Sequence, residues 1–124
     1  MMWKKAIAEV MGTLFLVLIG TGTVVFGDSM LSIALAFGFI VIAMAYSIGT
    51  VSGAHMNPAV SLAMFLNGRM NFKGFMVYVG AQLAGAVAGS AILQYFLIQS
   101  GKDATNLGAT ILAEDLTASS GVDL

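Results

Sequence analysis

The chain has 124 residues, of which 59% are hydrophobic and only 9% charged, with a formal net charge of −1. Soluble domains carry about 25% charged residues, and the mean hydropathy here is +0.96, so the sequence reads as a membrane protein. The near-neutral charge excludes a nucleic-acid partner. The absence of cysteine excludes disulfides, a thiolate nucleophile and a cysteine metal site. One histidine and six scattered acids do not make a metal-ligand set, and no cofactor is implied.

Met1 to Lys5 is a short basic start. Ala6 to Phe26 is an apolar run interrupted only by Glu9, and it is long enough for a spanning helix. It exceeds the apolar core of a signal peptide, and no small-x-small cleavage site closes it, so it is read as retained. Gly27-Asp28-Ser29 marks a turn. Met30 to Val51 is a second spanning run with no charge at all. A third follows from Phe75 to Ile98, after a polar turn from Gly68 to Asn71 and Lys73. From residue 101 to 124 the chain turns polar, through Lys102, Asp103, Glu114 and Asp115, and reads as an extracytoplasmic loop or tail. Ala109 to Ala113 could supply one helical turn there.

Between the second and third runs lies SGAHMNPAVS, Ser52 to Ser61, with the only proline and the only histidine. Asn57 is a strong N-cap residue. Pro58 suits the first helical position, where its missing N–H costs nothing. Apolar residues continue to Leu66, Gly68 is a natural residue just past a helix end, and Arg69 complements the negative end of the dipole. The predicted helix over 58–67 is roughly 15 Å long, about half of a ~30 Å bilayer core. Directly after an uncharged span, such a half-length helix reads as re-entrant rather than as an ordinary surface helix.

Topology follows from charge. Lys4 and Lys5 precede the first span, and Arg69 and Lys73 lie between the second and third. With three spans these segments share one side, and the excess of basic residues makes that side cytoplasmic. The N-terminus is then cytoplasmic, the tail outside, and the half-helix points its N-terminus at the membrane centre. Non-helical backbone at that depth survives only inside protein or beside water. The carbonyls of Gly53, Ala54, His55 and Met56 therefore need partners, which a file of water or small polyol molecules would supply. The half-helix contributes roughly +0.5 charge, and Asn57, capping with its oxygen, keeps its NH₂ free to donate. A neutral solute fits this site better than a cation or a proton relay.

These residues resemble the aquaporin and aquaglyceroporin family. SGAHMNPAVS is similar to the family's first pore loop. Glu9, in AEVMGT, resembles the buried glutamate of its first helix. AFGF around Phe37 resembles the second helix, and YVGAQLAGAVAGS, Tyr78 to Ser90, the third. The resemblance covers about residues 1 to 100. It implies an all-α membrane protein with three transmembrane helices plus one re-entrant half-helix, one repeat of an inverted-repeat fold. It implies that Asn57, Pro58 and Ala59 form one of two central pore motifs, that Gly53 to Met56 supply a carbonyl ladder, and that Phe37 stands at the outer selectivity constriction. Phenylalanine there leans toward water-selective members, because glycerol-conducting ones often carry tryptophan. For the complete protein the resemblance implies a homo-tetramer.

The family pairs two such repeats, and this chain holds one, without a second Asn-Pro-Ala or a constriction arginine. The expectation is an incomplete half-pore that needs a complementary inverted repeat, whether the chain is a truncation, one part of a split protein or a natural half. The alternative is a non-conducting remnant or accessory membrane subunit. No nucleophile–base pair points to an enzyme.

Single residues carry further expectations. Glu9 reads as a buried acceptor for loop N–H groups near His55, since an acid inside a span is functional by default. His55 reads as a backbone-fixing side chain. Gly85 and Gly89 form a G-x-x-x-G contact face, for intrachain packing or oligomerisation. Gln82 could bond between helices. Phe37, Val41, Met44 and Ile48 form a stripe that serves either a lumen or helix packing.

Overall fold

The computed structural model describes residues 1–27, 29–105 and 107. Asp28 and the proposed helical turn at 109–113 lie outside them. Four helices account for most of the described chain: α1 at Met2–Phe26, α2 at Met30–Ser52, α3 at Pro58–Leu66 and α4 at Phe72–Gln99. No strand occurs among the described residues. This is an all-α membrane fold of three spans and a half-helix.

The spans run longer than the apolar stretches that announce them. α1 begins at Met2 and α4 at Phe72, so Lys4, Lys5 and Lys73 sit inside first helical turns. At 1.5 Å per residue α4 is roughly 42 Å long, against ~30 Å of hydrocarbon. The surplus turns lie at headgroup depth, where charged side chains keep their hydration. α3 is only nine residues. Within α1, Leu16–Thr21 widens to a π-helical stretch, which no feature of the sequence announces.

Helix ends follow local chemistry. Ser29 caps α2 by accepting the Ser32 N–H, and Asn71 caps α4 by accepting the Gly74 N–H at 2.7 Å. α3 closes on Gly68 at φ 69°. The Arg69 N–H bonds the Met64 carbonyl at 2.9 Å and the Gly68 N–H bonds the Phe65 carbonyl at 3.0 Å, the two bonds of a Schellman ending. The same pair closes α4 around Gly101. No atom comes within 4 Å of a Cβ added at Gly68, so its requirement is conformational alone. Gly68→Ala is expected to cost about 1 kcal/mol, measured as a lower SDS midpoint for loss of helicity, and Gly68→Asn is expected to cost less.

α1 is the central post, packed by α4 on one side and α2 on the other. Against α4 the approach is set by Gly85 and Gly89. A Cβ at Gly85 would collide with the Val10 carbonyl oxygen, and one at Gly89 would lie 2.7 Å from the Leu14 carbonyl oxygen. The G-x-x-x-G face is therefore spent within the chain. Against α2, the Phe37 ring covers Gly20 and Ile48 covers Gly12. The α2 stripe thus serves helix packing at both its ends, while Val41 remains exposed. The half-helix is pinned to α4 by Phe65, whose ring stacks on Phe75 at 5.5 Å and meets Phe72 at 5.9 Å. Most large apolar side chains of α2 face outward, as a helix in lipid does and one in water does not.

Candidate functional site

The site is built where a lone acid meets a broken helix. Glu9 lies two turns into α1 and is fully buried. α2 ends at Ser52, and Gly53 turns the chain at φ 94°. Ala54 and Met56 also take left-handed backbone, at φ 49° and 51°. For a residue with a Cβ this costs roughly 1–2 kcal/mol, and such strain persists only where the surroundings dictate it.

Glu9 provides that constraint. Its Oε1 accepts the His55 N–H at 2.9 Å and the Ser52 hydroxyl at 2.6 Å. Its Oε2 accepts the Met56 N–H at 2.7 Å and the Gln82 side-chain amide at 2.8 Å. One carboxylate thereby ties α1 to the end of α2, to the loop and to α4. Gln82 also donates to Ser61 Oγ on the half-helix at 2.9 Å, and Ser61 Oγ lies 3.0 Å from His55 Nδ1. Tyr78 donates to the Ser52 carbonyl, and its ring lies 4.9 Å from the His55 ring. His55 is held on both sides and is buried. Ser61, Gln82 and Tyr78 belong to this network as fully as Glu9 does.

With the Gly53 N–H on the Gly49 carbonyl and the Ala54 N–H on Ser52 Oγ, every N–H from Gly53 to Met56 is bonded, and the carbonyls are left. Among the described residues, no hydrogen bond reaches the carbonyl of Gly53, Ala54, His55 or Met56. Asn57 caps the half-helix with its side-chain oxygen, which accepts the Ala59 N–H at 2.8 Å. Its NH₂ makes no hydrogen bond among the described residues. Gly53, Asn57, Pro58 and Ala59 are exposed, whereas His55 and Met56 are buried. Among the described residues the segment thus holds four carbonyls without a donor and one free amide donor, with Gly53 and Asn57 to Ala59 at the surface.

The depth follows from helix rise. Gln82 lies roughly 5 Å along the helix from the midpoint of the 28-residue α4, which places the site near mid-span. Phe37 lies elsewhere, roughly 22 Å along α2 from Ser52 and toward the far end of the bundle. The structure therefore brings Glu9, Gly53 to Met56 and Asn57 to Ala59 together and leaves Phe37 apart, 38% exposed beside Gly20.

The family model described as Major intrinsic protein matches residues 1–123. The chain belongs to the major intrinsic protein family. Among curated relatives, the Glycerol uptake facilitator protein-like 6 of Lactiplantibacillus plantarum is 44% identical over 109 residues, covering 86% of this chain and 50% of the relative. The Aquaporin Z of Brucella melitensis is 43% identical over 114 residues, covering 86% and 49%. The Lens fiber major intrinsic protein of Lithobates pipiens is 44% identical over 95 residues, covering 73% and 36%. This major intrinsic protein chain spans about half the length, or less, of these relatives.

Proposed function

We propose that this chain is one repeat of a channel that conducts water or a small neutral solute passively, and that a complementary inverted repeat closes the pore. The observation that carries this reading is the run of four carbonyls, beside the Asn57 amide, that no donor reaches among the described residues. At mid-bilayer depth such groups need water or a hydroxylated solute. A permeant would pass its hydrogens along the Gly53 to Met56 carbonyls and turn its oxygen to Asn57 NH₂. The positive end of the Pro58–Leu66 half-helix repels cations at that point. Asn57, Pro58 and Ala59 then form the pore motif, and Glu9 holds the loop in register. Phe37 contributes to the constriction at the opposite mouth. Lys4, Lys5, Arg69 and Lys73, at or just before the starts of α1 and α4, support a cytoplasmic N-terminus. The names of the relatives, a glycerol facilitator and an aquaporin, support water and glycerol as the two permeants to test. The complete assembly is proposed to be a homo-tetramer.

The test is stopped-flow light scattering on proteoliposomes. The chain alone is expected to swell or shrink no faster than lipid. Co-reconstituted with a complementary inverted repeat carrying its own Asn-Pro-Ala, it is expected to conduct. Asn57→Asp keeps an N-cap oxygen but replaces the donor with a charge. It is expected to lower conduction at least about tenfold, the equivalent of ~1.4 kcal/mol. Rapid water flux through the chain alone would overturn the half-pore reading. No flux from the complemented pair would favour a non-conducting membrane subunit.

A further inference from the structure

At the end of the bundle where α1 and α4 begin, a cavity of about 190 Å³ opens between the first turn of α1 and the loop that follows the half-helix. Lys5 and Arg69 both line it, with Met2 and Met70 as apolar lining and Gly74 beside them. A Cβ at Gly74 would meet Asn71 Oδ1 at 3.1 Å, Met70 Cγ at 3.4 Å and Met2 Cε at 3.7 Å, so glycine is what lets these groups close around the hollow. No acidic side chain is among the lining residues. Arg69 is fixed in position by its backbone bond to Met64, and its side chain is exposed, as is that of Lys5. Two cationic residues thus line a hollow that has no acidic residue in its lining.

Its surroundings indicate what it would take. Asn71 accepts the Gly74 and Phe75 N–H groups, while the N–H groups of Phe72 and Lys73 make no hydrogen bond among the described residues. The positive end of the 28-residue α4 therefore adds to the same potential. Trp3 and Phe72, at this same end, are 57% and 62% exposed, the placement of aromatic side chains at a membrane–water interface. The cavity thus opens at headgroup depth. Its volume is some six times the ~30 Å³ that one water occupies in the liquid. That holds a phosphate with its ester arms and leaves acyl chains outside, against the apolar flanks of α1 and α4.

We propose that this cavity is a binding site for the phosphodiester of an anionic phospholipid, with Lys5 and Arg69 as its two charge partners and the methionines packing its glycerol arm. Basic hollows between spans on the positively charged side of a membrane protein suit such headgroups. The assignment does not depend on whether the chain conducts.

Native mass spectrometry of the full chain in detergent, titrated separately with phosphatidylglycerol, phosphatidylcholine and inorganic phosphate, tests it. A basic residue near an anionic group is worth roughly fivefold, so about thirtyfold tighter binding of phosphatidylglycerol over phosphatidylcholine is expected. K5Q/R69Q should abolish that preference with helicity unchanged. K4Q/K73Q removes equal charge from the same end, outside the cavity, and should keep most of it. Equal losses in the two double variants would mean diffuse attraction and overturn the site, as would equal binding of the two lipids to the parent chain. Inorganic phosphate that displaces phosphatidylglycerol at matching concentration would assign a free anion and overturn the lipid source. Phosphate effective only in large excess would support the headgroup.

Discussion

Glu9→Ala is expected to unfold the loop and to cost about 3–5 kcal/mol, the scale of removing one partner from a buried charged network. The carboxylate accepts four hydrogen bonds, from Ser52, His55, Met56 and Gln82. Three of its partner residues are also buried polar groups with little access to water, at 8%, 9% and 1% exposure for Ser52, His55 and Gln82. Each donor left without a partner costs about 1–3 kcal/mol. The left-handed backbone at Ala54 and Met56 would lose the bonds that impose it, and the chain would relax toward ordinary φ. Gln82 has a second acceptor in Ser61, which lowers the total below the simple sum. Glu9→Gln keeps the shape and one acceptor oxygen but points an NH₂ at existing donors, so it is expected to fall between parent and alanine. SDS titration of helicity would give the three midpoints, and proteolysis near Gly53 would report loop release. A Glu9→Ala midpoint within about 0.5 kcal/mol of the parent, the scale of an ordinary surface substitution, would refute the network as the support of the loop.

The parts of this arrangement that sequence reveals are those where one residue type breaks its context. A single acid in an apolar run has to find donors, so Glu9 stands out. A single proline after asparagine sets a helix start, and the structure begins the half-helix at Pro58 with Asn57 as its cap. Gly68 is legible because its left-handed ending is a local property of one residue.

What is not legible depends on which faces meet. Serines are common at helix ends, and nothing in Ser52 or Ser61 alone says that both converge on one buried cluster. Tyr78 reads as part of an apolar helix until its hydroxyl is seen on the Ser52 carbonyl. Gln82 could equally have faced lipid. Gly85 and Gly89 leave intrachain packing and oligomerisation equally open, because small residues announce close approach without naming what approaches. The π-helical stretch Leu16–Thr21 has no compositional mark. It lies where the Phe37 ring packs on Gly20, so tertiary contact and not propensity accompanies it.

Gly85→Ala is expected to destabilise the chain by about 1–3 kcal/mol, although alanine is the better helix former by about 1 kcal/mol. The added methyl would meet the Val10 carbonyl oxygen and Thr13 Cβ on α1. A backbone oxygen inside a helix cannot rotate aside, so α1 and α4 must separate. That movement reaches the site, because Gln82 lies three residues before Gly85 and bonds Glu9 Oε2 from the same helix. Separation lengthens that bond and loosens the carboxylate that holds His55 and Met56. Gly80→Ala isolates the cause. No atom lies within 4 Å of a Cβ there, so only propensity acts, and stabilisation of up to about 1 kcal/mol is expected. Two glycine-to-alanine changes in one helix should therefore shift the SDS midpoint in opposite directions. Gly85→Ala at or above the parent midpoint would show that the α1–α4 contact yields without cost, and the close approach that places Gln82 against Glu9 would then not be what holds the loop.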